Sequence, residues 1–184
     1  FTRERRAGGE NAVAGLYAEA AWRPRGDWLL AGGVRIDHWA TTGGRRVERD
    51  RATGAVLFAE QPPDRSGEVV SARLGVRREF AGGLAWRAAA YSGFRPPTLN
   101  ELHRPFRVGN DITESNPALE PERLYGVETG LSGGDEDWRF AATVFLNRLD
   151  DAVTNVTIGQ GPGVFPRAGF VPAGGVLRQR MNAG

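Results

Sequence analysis

The sequence predicts an all-β fold that forms part of an antiparallel up-and-down transmembrane β-barrel. Three observations carry the expectation. Apolar and polar residues alternate along successive segments, the connections between segments run short, long, short, long, and large aromatics gather beside the short connections.

The elements follow in order. In the segment from Ala12 to Trp22, Ala14, Leu16, Ala18, Ala20 and Trp22 share one face and Tyr17 and Glu19 the other. From Trp28 to Trp39, Trp28, Leu30, Val34 and Ile36 oppose Arg35 and Asp37. Val70, Ala72, Leu74, Val76 and Phe80 then form an apolar row against Ser71, Arg73, Arg77 and Glu79, and Leu84, Trp86, Ala88 and Ala90 oppose Arg87 and Tyr91. Tyr125, Val127 and Leu131 face away from Glu128, and Trp138, Phe140, Ala142, Val144 and Leu146 face away from Arg139, Thr143 and Asn147. A further strand is expected from Val176 to Asn182, giving about seven to eight in all.

A soluble sandwich also alternates, so the connections decide. Short turns at Pro24 to Asp27, Ala81 to Gly83 and Gly133 to Asp137 alternate with long loops at Ala40 to Gly67, Arg95 to Pro121 and Thr157 to Gly175. Outer-membrane barrels have this asymmetry between their rims. Trp22, Trp28, Phe80, Trp86, Trp138 and Phe140 sit at outward positions beside the short turns, as an interfacial aromatic girdle requires. Arg78 shares that face, but beside Phe80 at the rim, where charge costs about 0–1 kcal/mol. The apolar runs are too short and interrupted for a spanning helix, which needs about 20 residues.

The stretch from Tyr91 to Glu122 is the most specific. Phe94 and Arg95 close a strand, Pro96 and Pro97 remove the donors that would continue it, and Thr98-Leu99-Asn100-Glu101 has the spacing of a capping box opening a short helix. Asn116-Pro117, Leu119 and Glu120-Pro121-Glu122 punctuate the return. FRPPTLNEL followed by NPALEPE resembles a hallmark region of TonB-dependent outer-membrane receptors, in which a strand ends in F-R-A/P-P-T-L-N-E-L and the next opens with N-P-x-L-x-P-E. Pro96 stands where Ala is commoner, which leaves the turn proline-bounded either way. LYAEAAWRP, GGVRIDHW and VSARLGVRREF extend the resemblance more weakly.

The resemblance implies that residues 1–184 are part of a 22-stranded barrel domain in a Gram-negative outer membrane, from a protein that actively takes up a scarce nutrient, most often a ferric siderophore complex. The implied partners are outer-membrane lipid, a small-molecule ligand such as a metal chelate, and the TonB energy-coupling complex acting through a plug. No plug-like segment, TonB box or C-terminal barrel strand is visible, so the chain reads as a fragment whose ends are cut from a longer protein. A passive porin-like barrel is the alternative, distinguished by needing no plug. A soluble β-sandwich binding module is another, distinguished by staying monodisperse without detergent.

Composition sets limits. The 24 basic residues, all arginine, nearly balance 22 acidic ones, and a net charge of +2 gives no electrostatic case for nucleic acid. Each arginine–aromatic neighbour pair, such as Trp86-Arg87, is split onto opposite faces by the strand. Zero cysteines exclude disulfides and thiolate metal sites. Asp37 and His38 are strand neighbours pointing to opposite faces, and no nucleophile elbow, phosphate loop or HExxH occurs, so no catalytic residue, metal site or cofactor is expected, and no enzyme.

Three groups of residues carry the functional expectations. Tyr91, Phe94, Arg95, Asn100, Glu101, His103, Arg104, Phe106 and Arg107 are the ligand-binding candidates on the long-loop rim, where rings suit a bulky chelate and guanidinium groups suit its anionic donors. Pro96, Pro97, Thr98, Leu99, Asn116, Pro117, Leu119, Pro121 and Glu122 fold the loop. Glu19, Arg35, Asp37, Arg73, Arg77, Glu79, Arg87, Glu128 and Arg139 line the lumen, paired across strands, and by the resemblance contact the plug.

Overall fold

Alternating residues with β-branched and aromatic side chains give six long strands in a computed structural model, which describes residues 2–183. β1 (Arg3–Trp22), β2 (Trp28–Asp50), β4 (Arg65–Glu79), β5 (Ala85–Arg95), β8 (Glu122–Gly134) and β9 (Arg139–Asp150) pair antiparallel in sequence order, and β3 (Val56–Glu60) pairs back on β2. With β3 this is a seven-stranded sheet, open at β1 and β9. No helix among the described residues is long and apolar enough to cross a membrane, which leaves crossing by strands untouched.

The register lines up the two faces expected from alternation. One row runs Ala20, Gly32, Leu74, Ala90, Val127, Leu146 and the next Glu19, Gly33, Arg73, Tyr91, Gly126, Asn147. On the outward face Leu16, Leu74, Val144 and Leu146 are largely exposed with nothing packed over them. Trp138 stacks on Phe140 at 5.6 Å beside the third short turn. Arg78 lies 5.1 Å from the ring centre of Trp28 and 4.8 Å from that of Phe80, with Asp27 at 3.6 Å, so the one charge on this stretch is capped at the rim as expected.

The inward face uses glycine where pairs must cross a strand. Glu19 on β1 reaches Arg73 on β4 over Gly33 of the intervening strand, at 2.5 Å. Asp37 takes a bidentate bond from Arg35 across Gly15, where an added Cβ would sit 2.2 Å from the carboxylate. Arg87 donates to Thr143 over Gly130. Arg77 pairs with Glu79 along its own strand. Of the charges expected to pair across strands, Glu19 and Arg73 do so, whereas Arg35 with Asp37 and Arg77 with Glu79 pair along one strand.

Two segments depart from the sequence reading. The stretch from Ala40 to Gly67, expected as a long loop, is mostly strand: β2 runs on to Asp50, β3 folds back on it, and β4 starts at Arg65. A bulge opposes Gly43 and Gly44 to Gly9, shifting the register between Gly8 and Glu10. The extra residue inverts the alternation, so Arg46 and Glu48 return to the inner face that Asp37 and Trp39 occupy. The segment expected as an eighth strand is a strand, β13 (Val176–Ala183), but it does not extend the main sheet. Asp151 turns the chain at φ 55 after β9, and β10 (Ala152–Gln160) pairs with β13. β13 also runs parallel to β7 (Asp111–Glu114), which pairs with β6 (Phe106–Val108), forming a second, four-stranded sheet from the two long loops. The loop between β10 and β13 carries its own small hairpin, β11 (Gly163–Phe165) and β12 (Gly169–Val171). Ile112, Val171 and Leu177 form the apolar core under this loop layer.

Candidate functional site

The loop after β5 folds by the chemistry of its sequence. Thr98 caps the five-residue helix α1 (Leu99–His103): its backbone N–H donates to Glu101 Oε2 at 2.7 Å and its hydroxyl accepts from the Glu101 N–H at 3.3 Å. Arg95 ties the loop's two ends, donating to Glu122 at 2.6 Å and to Glu101 at 2.9 Å. The Glu122 and Glu101 bonds push the Arg95 pKa up, and Arg95 in turn holds Glu122 below the usual carboxylate range. For Glu101 burial alone would raise the pKa, but the Arg95 and Thr98 bonds outweigh it and the net shift is downward. Asn116 accepts from the Ala118 N–H, and Arg65 donates to the carbonyls of Pro117 and Leu119. Thr98→Ala is expected to cost about 1 kcal/mol of loop stability, read as faster amide exchange over α1 in the full-length protein.

His103 is buried at 4 % exposure, with its ring against the β2 bulge: a Cβ on Gly44 would lie 2.7 Å from its Cε1, and its Nε2 has no hydrogen-bond partner. Burial lowers its pKa, against a smaller upward pull from Glu60. The docked imidazole is therefore neutral, and below the ordinary value of about 6.5 the undocked loop takes up a proton that the docked one refuses. Docking should weaken by up to about 1.4 kcal/mol per pH unit as pH falls from 6.5 towards the docked pKa. Amide exchange across Leu99–His103 from pH 7.5 to 5.5 measures this, and His103→Gln should flatten the response.

The nine rim candidates thus separate. Tyr91 lies in the lumen wall, not the rim: its ring covers Gly126, where a Cβ would meet Cε2 at 2.3 Å, and its hydroxyl donates to Asn147 at 3.1 Å. Phe94 shares the outward face with Trp86 and Ala90. Arg95 and Glu101 are taken up by the clamp and cap, and His103 is buried. Asn100, Arg104, Phe106 and Arg107 remain, and they converge.

These four, with Arg5, Arg6 and Ala7 of β1, Arg45 of β2 and Pro105, line a cavity of about 610 Å³ at the long-loop end. No acidic residue is in its wall. Arg5 donates to Glu48 and to the Pro105 carbonyl, and Arg6 pairs with Glu4. Among the described residues Arg45, Arg104 and Arg107 have no carboxylate within 4.0 Å; Arg107 donates to the Phe170 carbonyl. Arg180 of β13 stands behind the cavity, 5.1 Å over Phe106, donating to the Asn100 and Arg104 carbonyls at the end of α1. Its burial lowers its pKa despite Glu101 nearby. Arg5, Arg6, Arg45 and Arg180 were not singled out by sequence, because they come from β1, β2 and β13 and only the bulge and the loop sheet bring them to α1.

A second polar cluster locks the layers together. Arg46, 1 % exposed, bonds Glu48 at 2.6 and 2.8 Å and Glu114 of β7 at 2.6 Å, and lies 4.6 Å over Phe58. Arg167 holds Glu60 at 2.5 and 2.8 Å. Among the described residues no group of three or more His, Cys, Asp or Glu is arranged to hold a metal ion.

The family model described as TonB dependent receptor-like, beta-barrel matches residues 2–180, and the chain belongs to that family. A search of curated protein sequences returned no match. Among solved structures, the hemophore receptor HasR of Serratia marcescens, in complex with its hemophore HasA and heme, is similar over 95% of this chain and 30% of its own, at 21% identity and a TM-score of 0.68. The ferric yersiniabactin uptake receptor FyuA of Yersinia pestis is similar over 83% of this chain and 22% of its own, at 16% identity and a TM-score of 0.61. The ferric-catecholate import receptor Fiu of E. coli K12 is similar over 80% of this chain and 22% of its own, at 17% identity and a TM-score of 0.60. The chain spans less than a third of each of these structures, and at these identities the likeness is one of fold. Membership places the sheet in a Gram-negative outer membrane. It decides for the receptor barrel over the porin-like and soluble-sandwich alternatives.

Proposed function

We propose that this chain is the ligand-capturing sector of an outer-membrane receptor that imports a ferric siderophore complex, gated by a plug and energised through TonB. The single observation that carries this reading is the arginine-lined cavity at the extracellular end, framed by the motif loop. Excess guanidinium charge over a lumen of paired charges favours capture of an anionic chelate at the mouth, and the mixed-sign wall below gives no continuous attraction for one ion type. The reading requires no bond chemistry.

The test is iron-limited growth of a Gram-negative host stripped of its own ferric-siderophore receptors and carrying the full-length gene. Growth on at least one of a panel of ferric catecholate, hydroxamate and carboxylate chelates, abolished by deleting TonB, supports the reading. Growth that survives TonB deletion, or no growth on any chelate with the receptor present in the membrane, overturns it.

A further inference from the structure

The outward face carries one charge between its apolar rows and the short-turn rim, and that charge sits in an aromatic frame. Arg78 stands in the ladder between Trp28 of β2 and Trp86 of β5, with Phe80 two residues further along its own strand. Its guanidinium lies 5.1 Å from the Trp28 ring centre and 4.8 Å from that of Phe80. Rings this close displace water and leave few directions from which its N–H groups can be satisfied. The protein does not complete the set. Nε is buried without a hydrogen-bond partner, and Asp27, the one carboxylate within 4.0 Å among the described residues, stands at 3.6 Å, beyond hydrogen-bond reach.

Charge along this rim is uneven. The first short turn carries Arg23 and Arg25 against Asp27, and the Glu79 N–H pins it beside Arg78 by donating to the Asp27 carbonyl at 2.8 Å. The Glu79 side chain turns the other way, to Arg77 on the inner face. The third short turn is the reverse: Asp135, Glu136 and Asp137 lead into the stacked Trp138 and Phe140. Aromatic rings therefore meet surplus arginine at one end of the rim and surplus carboxylate at the other. An anion suited to the arginine end needs oxygens for the guanidinium and apolar chains for the outward residues next to it, Val76 and the 64 % exposed Leu74. A glycerophospholipid supplies both in one molecule.

We propose that Arg78 and the first short turn form a phospholipid headgroup site, which takes the phosphodiester of a lipid in the leaflet at the short-turn rim. Arg78 is its contact residue, Trp28 and Phe80 frame it, and Asp27 is the anion that the phosphate displaces. The site rests on the sheet lying in a membrane and is independent of what the receptor imports.

The experiment titrates the full-length receptor, stripped of lipid in a neutral detergent, with phosphatidylglycerol, diacylglycerol or inorganic phosphate, and follows bound adducts by native mass spectrometry. Phosphatidylglycerol should give a tight first adduct whose affinity falls about tenfold in Arg78→Gln and only part of that in Arg78→Lys. Asp27→Asn should tighten it about threefold, because the competing carboxylate is gone while the backbone bond of the turn stays. A merely structural arginine would not give that gain, and this variant keeps Arg78 in place, so it tests the site whether or not Arg78→Gln folds. Diacylglycerol bound as tightly as phosphatidylglycerol overturns the site, since the apolar face alone would then hold the lipid. Inorganic phosphate that binds as tightly as the lipid overturns the lipid assignment. Phosphatidylglycerol affinity indifferent to all three substitutions overturns the role of Arg78.

Discussion

Replacing Arg46 by alanine in the full-length receptor is expected to unlock the long-loop layer at a cost of about 3–5 kcal/mol. The guanidinium is the link between β2 and β7, and its removal affects its two carboxylates unequally. Glu48 keeps Arg5 at 2.8 Å and Arg3 at 3.3 Å. Glu114, 2 % exposed, keeps only Arg167 at 3.7 Å and becomes a nearly unpaired buried charge. The directions of the pKa shifts agree: burial works to raise Glu48, yet the bonds from Arg5 and Arg46 outweigh it and hold the net shift downward. Amide exchange should therefore rise over β7 and over β13, which pairs with it, while the main sheet stays protected. Replacing the pair together, Arg46→Met with Glu114→Leu, should recover most of the loss, because an apolar pair of similar volume carries no desolvation cost. Equal exchange in the wild type and Arg46→Ala would remove the cluster from the account of how the loops are held.

Placing arginine on the outward face should be the more destructive change to the sheet. Leu74 is 64 % exposed and lies four residues, roughly 13 Å of strand, from Arg78 at the aromatic rim. That puts it near the middle of an apolar band about 25 Å tall, where arginine costs about 2–4 kcal/mol. Ala89 supplies the control: it lies opposite Glu128 in the adjoining inward row, so arginine there gains a cross-strand partner. Unfolding of the full-length receptor in lipid vesicles should show Leu74→Arg strongly destabilised and Ala89→Arg within about 1 kcal/mol of wild type. A water-facing sheet would invert nothing and tolerate both.

Strand order, inward and outward faces and the aromatic rim were legible because a membrane sheet has two solvents, and each writes its preference at every second residue. The capping box was legible because Thr98 and Glu101 need only their own spacing to meet. What could not be read depended on register or on distance along the chain. One extra residue at Gly43-Gly44 inverts the alternation, so Arg46 and Glu48 looked like loop charges. Arg5 meets Pro105 across 100 residues and Arg180 meets Asn100 across 80, and no local pattern marks either contact. The same long-range pairing took β13 out of the main sheet. Tyr91 was placed at the rim because the sequence does not state where a strand ends; its ring covers Gly126 directly opposite on β8, four residues along the ladder from Arg95 and Glu122.

Residues 1–184 contain no cysteine, so single cysteines can be placed one at a time along the two central rows, with any thiol elsewhere in the full-length receptor first replaced by serine. The measurement is labelling of the full-length receptor in vesicles by a water-soluble maleimide, at Leu74, Ala90, Val127 and Leu146 in one row and at Arg73, Tyr91, Gly126 and Asn147 in the next. The account predicts that the first row stays unlabelled until the bilayer is dissolved, while the second labels where the lumen admits water and is indifferent to lipid. Labelling of Leu74, Val127 and Leu146 in intact vesicles at the rate of an exposed loop thiol would contradict it, because the outward face would then lie in water.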